Sequence, residues 1–263
     1  MNIFKREFKA NLKALVIWCL AYAGMMGIAS VEFSVYNDQA DEVNQFLESL
    51  PEALQQAFGM DGLRLDIPEG YYGYLAGFII LASCIYATLL GAQILSREIN
   101  KRTAETTFTL PVTRQHMVSW KLAVAVLNCF ILTAVTFAGT LAAFSPYEMS
   151  ADFIKGVGVY MLIILLLEMF FLGMGLLISM LLKRHKRTGS IAASITVGVY
   201  FLSFIAKINE NTEFLKYFTP FEFFPAPEVV NGRELETFGF IIAPLATATF
   251  FFAAYRLVRF KDL

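Results

Sequence analysis

Six apolar stretches decide what this chain can become. They run over residues 14–31, 71–95, 116–144, 156–182, 189–206 and 237–258. Each is at or near the roughly 20 residues that carry an α-helix across the hydrocarbon core of a bilayer. Lipid offers no water to a backbone amide or carbonyl, so a spanning segment has to satisfy these groups internally, as a helix does. The predicted fold is therefore an all-α integral membrane protein with six transmembrane helices, one transmembrane domain over residues 1–263. Composition agrees: the chain is 57% hydrophobic and only 16% charged, whereas a soluble domain carries about a quarter of charged residues.

The segments between the spans have distinct characters. Residues 1–13 set Ile3, Phe4, Phe8 and Leu12 against Lys5, Arg6, Lys9 and Lys13, which reads as an amphipathic helix on the membrane surface. A cleavable signal peptide ending near Gly27-Ile28-Ala29 is the rival reading, but the run over 14–31 exceeds the about 7–15 residues of a signal core. Residues 32–70 form an acidic insertion with Arg64 as its one base. Within it Val43, Phe46, Leu47, Leu50, Leu54 and Phe58 recur at helical steps, with Pro51 dividing or kinking the helix. Residues 207–236 are too polar to span, yet contain YFTPFEFFPAP. Aromatic residues crowded between prolines predict broken interfacial helices between the fifth and sixth spans. Small residues repeat on the second span, at Gly73, Gly77, Ser83, Ala87 and Gly91, and on the fifth, at Ser190, Ser194 and Gly198. They predict close helix packing.

Charge gives an orientation. Most of the 21 Lys and Arg fall in the N-terminus, the 96–115 segment and its flank, the 183–187 turn and the C-terminus, while most of the 22 Asp and Glu fall in the other loops. The positive-inside rule predicts that the first set, with both termini, is cytosolic.

Chemistry-bearing constellations are sparse. Cys19, Cys84 and Cys129 all lie in apolar runs and read as small buried hydrophobes rather than a disulfide or zinc framework. His116 and His185 are isolated in basic loops, so a histidine metal cluster is excluded. No G-x-x-x-x-G-K-[ST] occurs, so the chain does not cradle nucleotide phosphates itself. The basic patches lack interleaved aromatics, which argues against nucleic acid. The costly residue is Glu168, near the middle of the fourth span. A charged carboxylate there costs about 2.5–3.5 kcal/mol even on the lenient insertion scale. It reads either as lining a translocation path or as a packed acid bonded to a neighbouring helix, with Asn128 or the hydroxyls of the fifth span as partners. Asn128, the most polar residue inside the third span, joins it as a path candidate.

Between the second and third spans the order of residues is informative: a charged helix exit, a short polar helix, a stop at Pro111, and a restart. Pro111 lacks an amide proton and pushes Leu110 away from helical dihedrals, and Thr113 is placed to cap the next helix. This predicts a short cytosolic coupling helix within residues 96–115. The stretch from Glu98 to Arg114, EINKRTAETTFTLPVTR, resembles the corresponding segment of ABC-2-type transporter permeases. There the pattern reads roughly E-x-x-x-G-T-x-E, an apolar pair, then P-V-S-R. Glu98, Thr103, Glu105, Pro111, Val112 and Arg114 match, Thr113 stands in for serine, and Arg102 replaces the usual glycine. The amphipathic N-terminus, the six spans and the aromatic segment before the last span extend the likeness over most of the chain.

That resemblance implies the membrane permease of an ABC exporter in a prokaryotic plasma membrane. Two permease chains, as a homo- or heterodimer, would form the path and bind two separate ABC ATPase subunits. Glu98, Arg102, Thr103, Glu105, Pro111 and Arg114 would be the coupling residues, and ATP and Mg would sit on the ATPases, with no cofactor in this chain. Two rivals stand beside it: a stand-alone secondary transporter or channel using Glu168, against which the lack of a visible internal repeat counts, and a membrane sensor or scaffold built around the acidic loop.

Overall fold

The computed structural model describes residues 3–51, 55, 64–100, 114–182, 185–208, 210–230 and 237–260. The chain runs α1 (Ile3–Asp38), α2 (Ala40–Ser49), α3 (Pro68–Asn100), α4 (Arg114–Phe144), α5 (Ala151–Leu181), a 3-10 turn (His185–Arg187) and α6 (Thr188–Ile208). Two 3-10 helices (Glu210–Phe218 and Pro220–Phe223), α7 (Ala226–Val230) and α8 (Thr237–Phe260) complete it. No strand occurs among the described residues. Six helices, α1, α3, α4, α5, α6 and α8, are long and apolar enough to cross a membrane. The all-α six-span architecture is that expected from the apolar runs.

The start of the chain differs from expectation. From Ile3 onward the surface segment and the first span over 14–31 belong to one helix of 36 residues, about 54 Å long at 1.5 Å per residue. No proline interrupts it, so nothing turns the charged start away from the apolar rod behind it. Its buried stripe begins with Glu7 and Asn11 and continues through Leu15, Tyr22, Met26, Ala29 and Phe33. The first inward-facing residues are thus polar, while Leu12 is exposed.

Pairing follows direction rather than chain order. Three pairs of spans two apart in sequence, α1 with α4, α3 with α5 and α5 with α8, run the same way and lie side by side. On α1 and α4, Ser30 Oγ donates to the Ala143 carbonyl at 2.9 Å. On α3 and α5, Tyr160 OH donates to the Ala76 carbonyl at 3.4 Å. On α5 and α8, the rings of Phe170 and Phe250 are 5.1 Å apart. Antiparallel α6 joins α3 through Tyr200 OH, which donates to the Gly77 carbonyl at 3.0 Å, and through a 2.8 Å hydroxyl contact of Thr88 with Thr196. The helices α3 and α5 form the centre: 67% and 56% of their most apolar windows are buried, against 22%, 22% and 17% for α1, α6 and α8.

Two glycines let that centre close. A methyl group on Gly91 would run into the Leu172 carbonyl oxygen and stand 2.8 Å from the Leu176 nitrogen. One on Gly175 would run into the Thr88 carbonyl oxygen, 3.1 Å from the Ala92 nitrogen. The two backbones therefore touch at both residues, the close approach that small residues permit inside a membrane. The small residues of the fifth span behave otherwise. Ser190, Ser194 and Gly198 face outward, nothing lies within 4 Å of a Cβ on Gly198, and α6 packs through Thr188, Ala192, Thr196 and Ser203 instead.

At the acidic end, α2 stops at Ser49, two residues before Pro51, as a residue preceding proline resists helical dihedrals. Leu47 turns inward, whereas Phe46 is exposed; Leu54 and Phe58 lie outside the described residues. Asp66 gathers the insertion together. It pairs with Arg64, its Oδ1 accepts from Asn44 Nδ2 at 3.2 Å, and its carbonyl accepts from Asn37 Nδ2 at 3.0 Å. The Arg64 guanidinium holds the Asp66 carboxyl below the usual carboxylate range. Between α6 and α8 the chain breaks into the expected short helices, and Phe221 stacks on Phe171 of α5 with centroids 5.1 Å apart.

Candidate functional site

The proline-stopped segment is described at its two roots. Glu98 falls in the last turn of α3 and Arg114 is the first residue of α4, and the side chains of both lie outside the described residues. Arg102, Thr103, Glu105 and Pro111 lie wholly outside them, as does the expected coupling helix.

The roots themselves are tied together by one lysine. Lys121, two turns into α4, is only 2% exposed. Its Nζ donates to the Ile94 carbonyl of α3 at 3.1 Å and stands 3.7 Å from Glu7 Oε2 of α1. A buried ammonium requires charge-assisted partners, and here they come from α3, which leads into residues 101–113, and from the N-terminal helix. Nearby, Phe4 of α1 meets Trp120 edge to face at 6.1 Å. Ser119 Oγ and Tyr255 OH of α8 share a hydrogen bond at 2.8 Å. Four of the six spanning helices thus converge on the base of this segment. Sequence reasoning counted Lys121 only as a topological charge and missed Glu7. The available signal was that Glu7 is the single acid among the four bases of residues 1–13.

Glu168 sits at the other polar focus, fully buried in α5. Its Oε2 accepts from Thr133 Oγ1 at 3.0 Å, while Oε1 has no hydrogen-bond partner among the described residues. Neither Asn128 nor a hydroxyl of the fifth span is the partner that sequence suggested. Thr133 lies on α4, and the buried Thr196 of α6 is engaged with Thr88. The reason is the pairing order: α6 packs on α3, and α4 presents its threonines to the interior. Asn128 is also fully buried, with neither amide atom hydrogen-bonded among the described residues. A carboxyl group offers about four acceptor positions and a primary amide two donors besides its oxygen, so this interior holds far more polar capacity than its protein contacts use. Tyr22, Cys84, Tyr86 and Cys129 stand within electrostatic reach of Glu168, which places it among α1, α3 and α4. Tyr22 OH bonds the Ile79 carbonyl at 3.1 Å and Ser83 Oγ at 2.8 Å, while Tyr86 OH has no partner among the described residues. Among those residues no His, Cys, Asp and Glu group is arranged to hold a metal ion.

The arrangement has two parts: a polar interior deep in the bundle around Glu168 and Asn128, and a buried charge bridge at the base of the polar segment that joins α3 to α4. No curated protein matches the chain. The family model for ABC-2 family transporter proteins matches residues 1–262; covering all six spans and both polar foci, that match establishes that the chain belongs to the ABC-2 transporter family.

Proposed function

We propose that this chain is the permease subunit of an ABC exporter in a prokaryotic plasma membrane. Two such chains line the path, and separate ATPase subunits dock on residues 97–114. The observation that carries this reading is the match of Glu98, Thr103, Glu105, Pro111 and Arg114 to the permease pattern, in a chain of that family without a phosphate-cradling motif. The basic ends and both termini face the cytosol, where the positive-inside rule puts them. ATP and Mg bind on the partner subunits, and nucleotide-driven closure there moves the short helix. The Lys121 bridge supports the coupling role, because a push on residues 101–113 reaches α1, α3 and α4 together through one buried ammonium.

The test is to damage the docking surface without unfolding the bundle. Exposed ion pairs contribute about 0–1 kcal/mol to stability, so Glu105→Lys leaves the fold intact. At a docked interface it sets like charge against the partner's base, a clash that costs several kcal/mol. Pro111→Ala allows the short helix to fuse with α4. Both variants are expected to reach the membrane at normal levels and to lose the ATPase on co-purification, or to lose substrate-stimulated ATP hydrolysis. Normal transport with the ATPase retained in both would reduce the segment to a topology anchor.

Glu168 and Asn128 take the role of path-controlling polar residues at mid-membrane. Glu168→Gln keeps the shape and the Thr133 contact but removes the acid. It is expected to match the wild type in thermal stability while losing transport. Full transport in both Glu168→Gln and Glu168→Ala would assign the carboxyl to packing alone.

A further inference from the structure

Where α6 gives way to the short helices, two neighbouring cavities of about 70 and 220 Å³ share Glu222 and Pro225. Liquid water takes about 30 Å³ per molecule, so the larger has room for a small headgroup. Tyr200 and Phe221 wall the first, and Tyr217 and Phe238 wall the second. Their charged groups are Glu222 and Glu228 on one side and Lys207 and Lys216 on the other. Lys207 Nζ lies 3.2 Å from Glu222 Oε1, and Lys216 Nζ lies 5.4 Å from the centre of the Tyr217 ring. The protein's own ammonium groups thus occupy the two settings that receive cations, a shielded carboxylate and an aromatic face.

The partners of the ion pair differ in freedom. The Glu222 side chain is 12% exposed and belongs to the short Pro220–Phe223 helix, whereas Lys207 is 33% exposed and its long stem swings its ammonium readily into water. The acid is the more deeply buried partner and the base the more exposed one. Burial pushes the Glu222 carboxyl up, Lys207 draws it back down, and neighbouring Glu228 adds to the rise, so a departing Lys207 leaves the cleft short of positive charge. On the 3-10 helix that carries Lys216 and Tyr217, Phe214 and Phe218 are 57% and 70% exposed, rings of the kind that settle at the membrane interface.

We propose that this cleft binds an amphiphile with an ammonium headgroup, the cation replacing Lys207 at Glu222 and the apolar tail leaving along Phe214 and Phe218 into lipid. The site draws on α3, α5, α6 and the short helices and stands whether or not an ATPase drives the protein. The test titrates the full-length chain in dodecyl maltoside micelles with dodecyltrimethylammonium by calorimetry, against empty micelles, with dodecyl sulfate as the anionic comparison. Saturable binding of the cation is expected. Lys207→Gln removes an internal competitor and is expected to tighten binding about tenfold. Glu222→Gln removes the counter-charge and is expected to weaken it tenfold or more. Equal affinity in both variants and the wild type would reduce the signal to partition into the micelle and overturn the site. Loss of binding in Lys207→Gln, or saturable binding of dodecyl sulfate instead, would overturn it in favour of an anion site. Should Glu222→Gln fail to fold, the Lys207→Gln arm decides alone, since a damaged cleft does not bind more tightly.

Discussion

Replacing Gly175 or Gly91 by valine is expected to prevent the central pair of helices from closing. At both positions a single added methyl group already meets backbone of the opposite helix: Leu172 and Leu176 facing Gly91, Thr88 and Ala92 facing Gly175. Overpacking a well-filled core costs about 1–3 kcal/mol when side chains can shift, and occasionally more. Here the obstacle is main chain, which moves only if α3 and α5 separate along much of their contact, so about 3 kcal/mol or more is expected. Valine has a better helix propensity than glycine, so local helix stability works against the effect and cannot produce it. The measurement is the thermal stability of the purified chain in mild detergent, together with the yield of monodisperse protein. Gly158→Val is the control, since nothing lies within 4 Å of a Cβ there, and it should behave as the wild type. Equal stability of the Gly175 and control variants would show that the two helices do not touch in the bilayer.

The second large effect is expected at Lys121. Lys121→Met removes the ammonium but leaves the Glu7 carboxylate in place, with its side chain 11% exposed. Removing one member of a buried ion pair costs about 3–5 kcal/mol, because the remaining charge stays desolvated, whereas replacing both members by apolar residues is often neutral. The single variant is therefore expected to lower the melting temperature sharply, and Glu7→Leu with Lys121→Met should restore most of it. Recovery in the double variant would show that the loss came from the stranded acid rather than from helix packing. A single variant as stable as the wild type would mean that the bridge is not formed.

The span count and the helical class follow from one-dimensional quantities. Length and apolarity suffice because a bilayer penalises an unpaired backbone group wherever it occurs. The runs over 116–144 and 237–258 reappear as α4 and α8 within a few residues, and the proline-broken segment reappears over residues 210–230 as short helices, because Pro220 and Pro225 act on their own neighbours. The family was legible too, through a short motif whose spacing needs no partner to be read.

Which residues meet was not legible, since it depends on helix rotation and on the order in which spans pack. The sequence marked Glu168 as costly, but its partner is Thr133 because α4, not α6, faces α5 at that depth. Glycines of the second and fifth spans look alike in sequence. Gly91 lies against a backbone and Gly198 against nothing, a difference set only by which face each helix turns inward. Glu7 and Lys121 are separated by more than a hundred residues, and each alone is an ordinary charge near a membrane surface. They become a buried bridge only because α1 and α4 run in the same direction, side by side, so that an acid about one turn into α1 comes level with a base about two turns into α4.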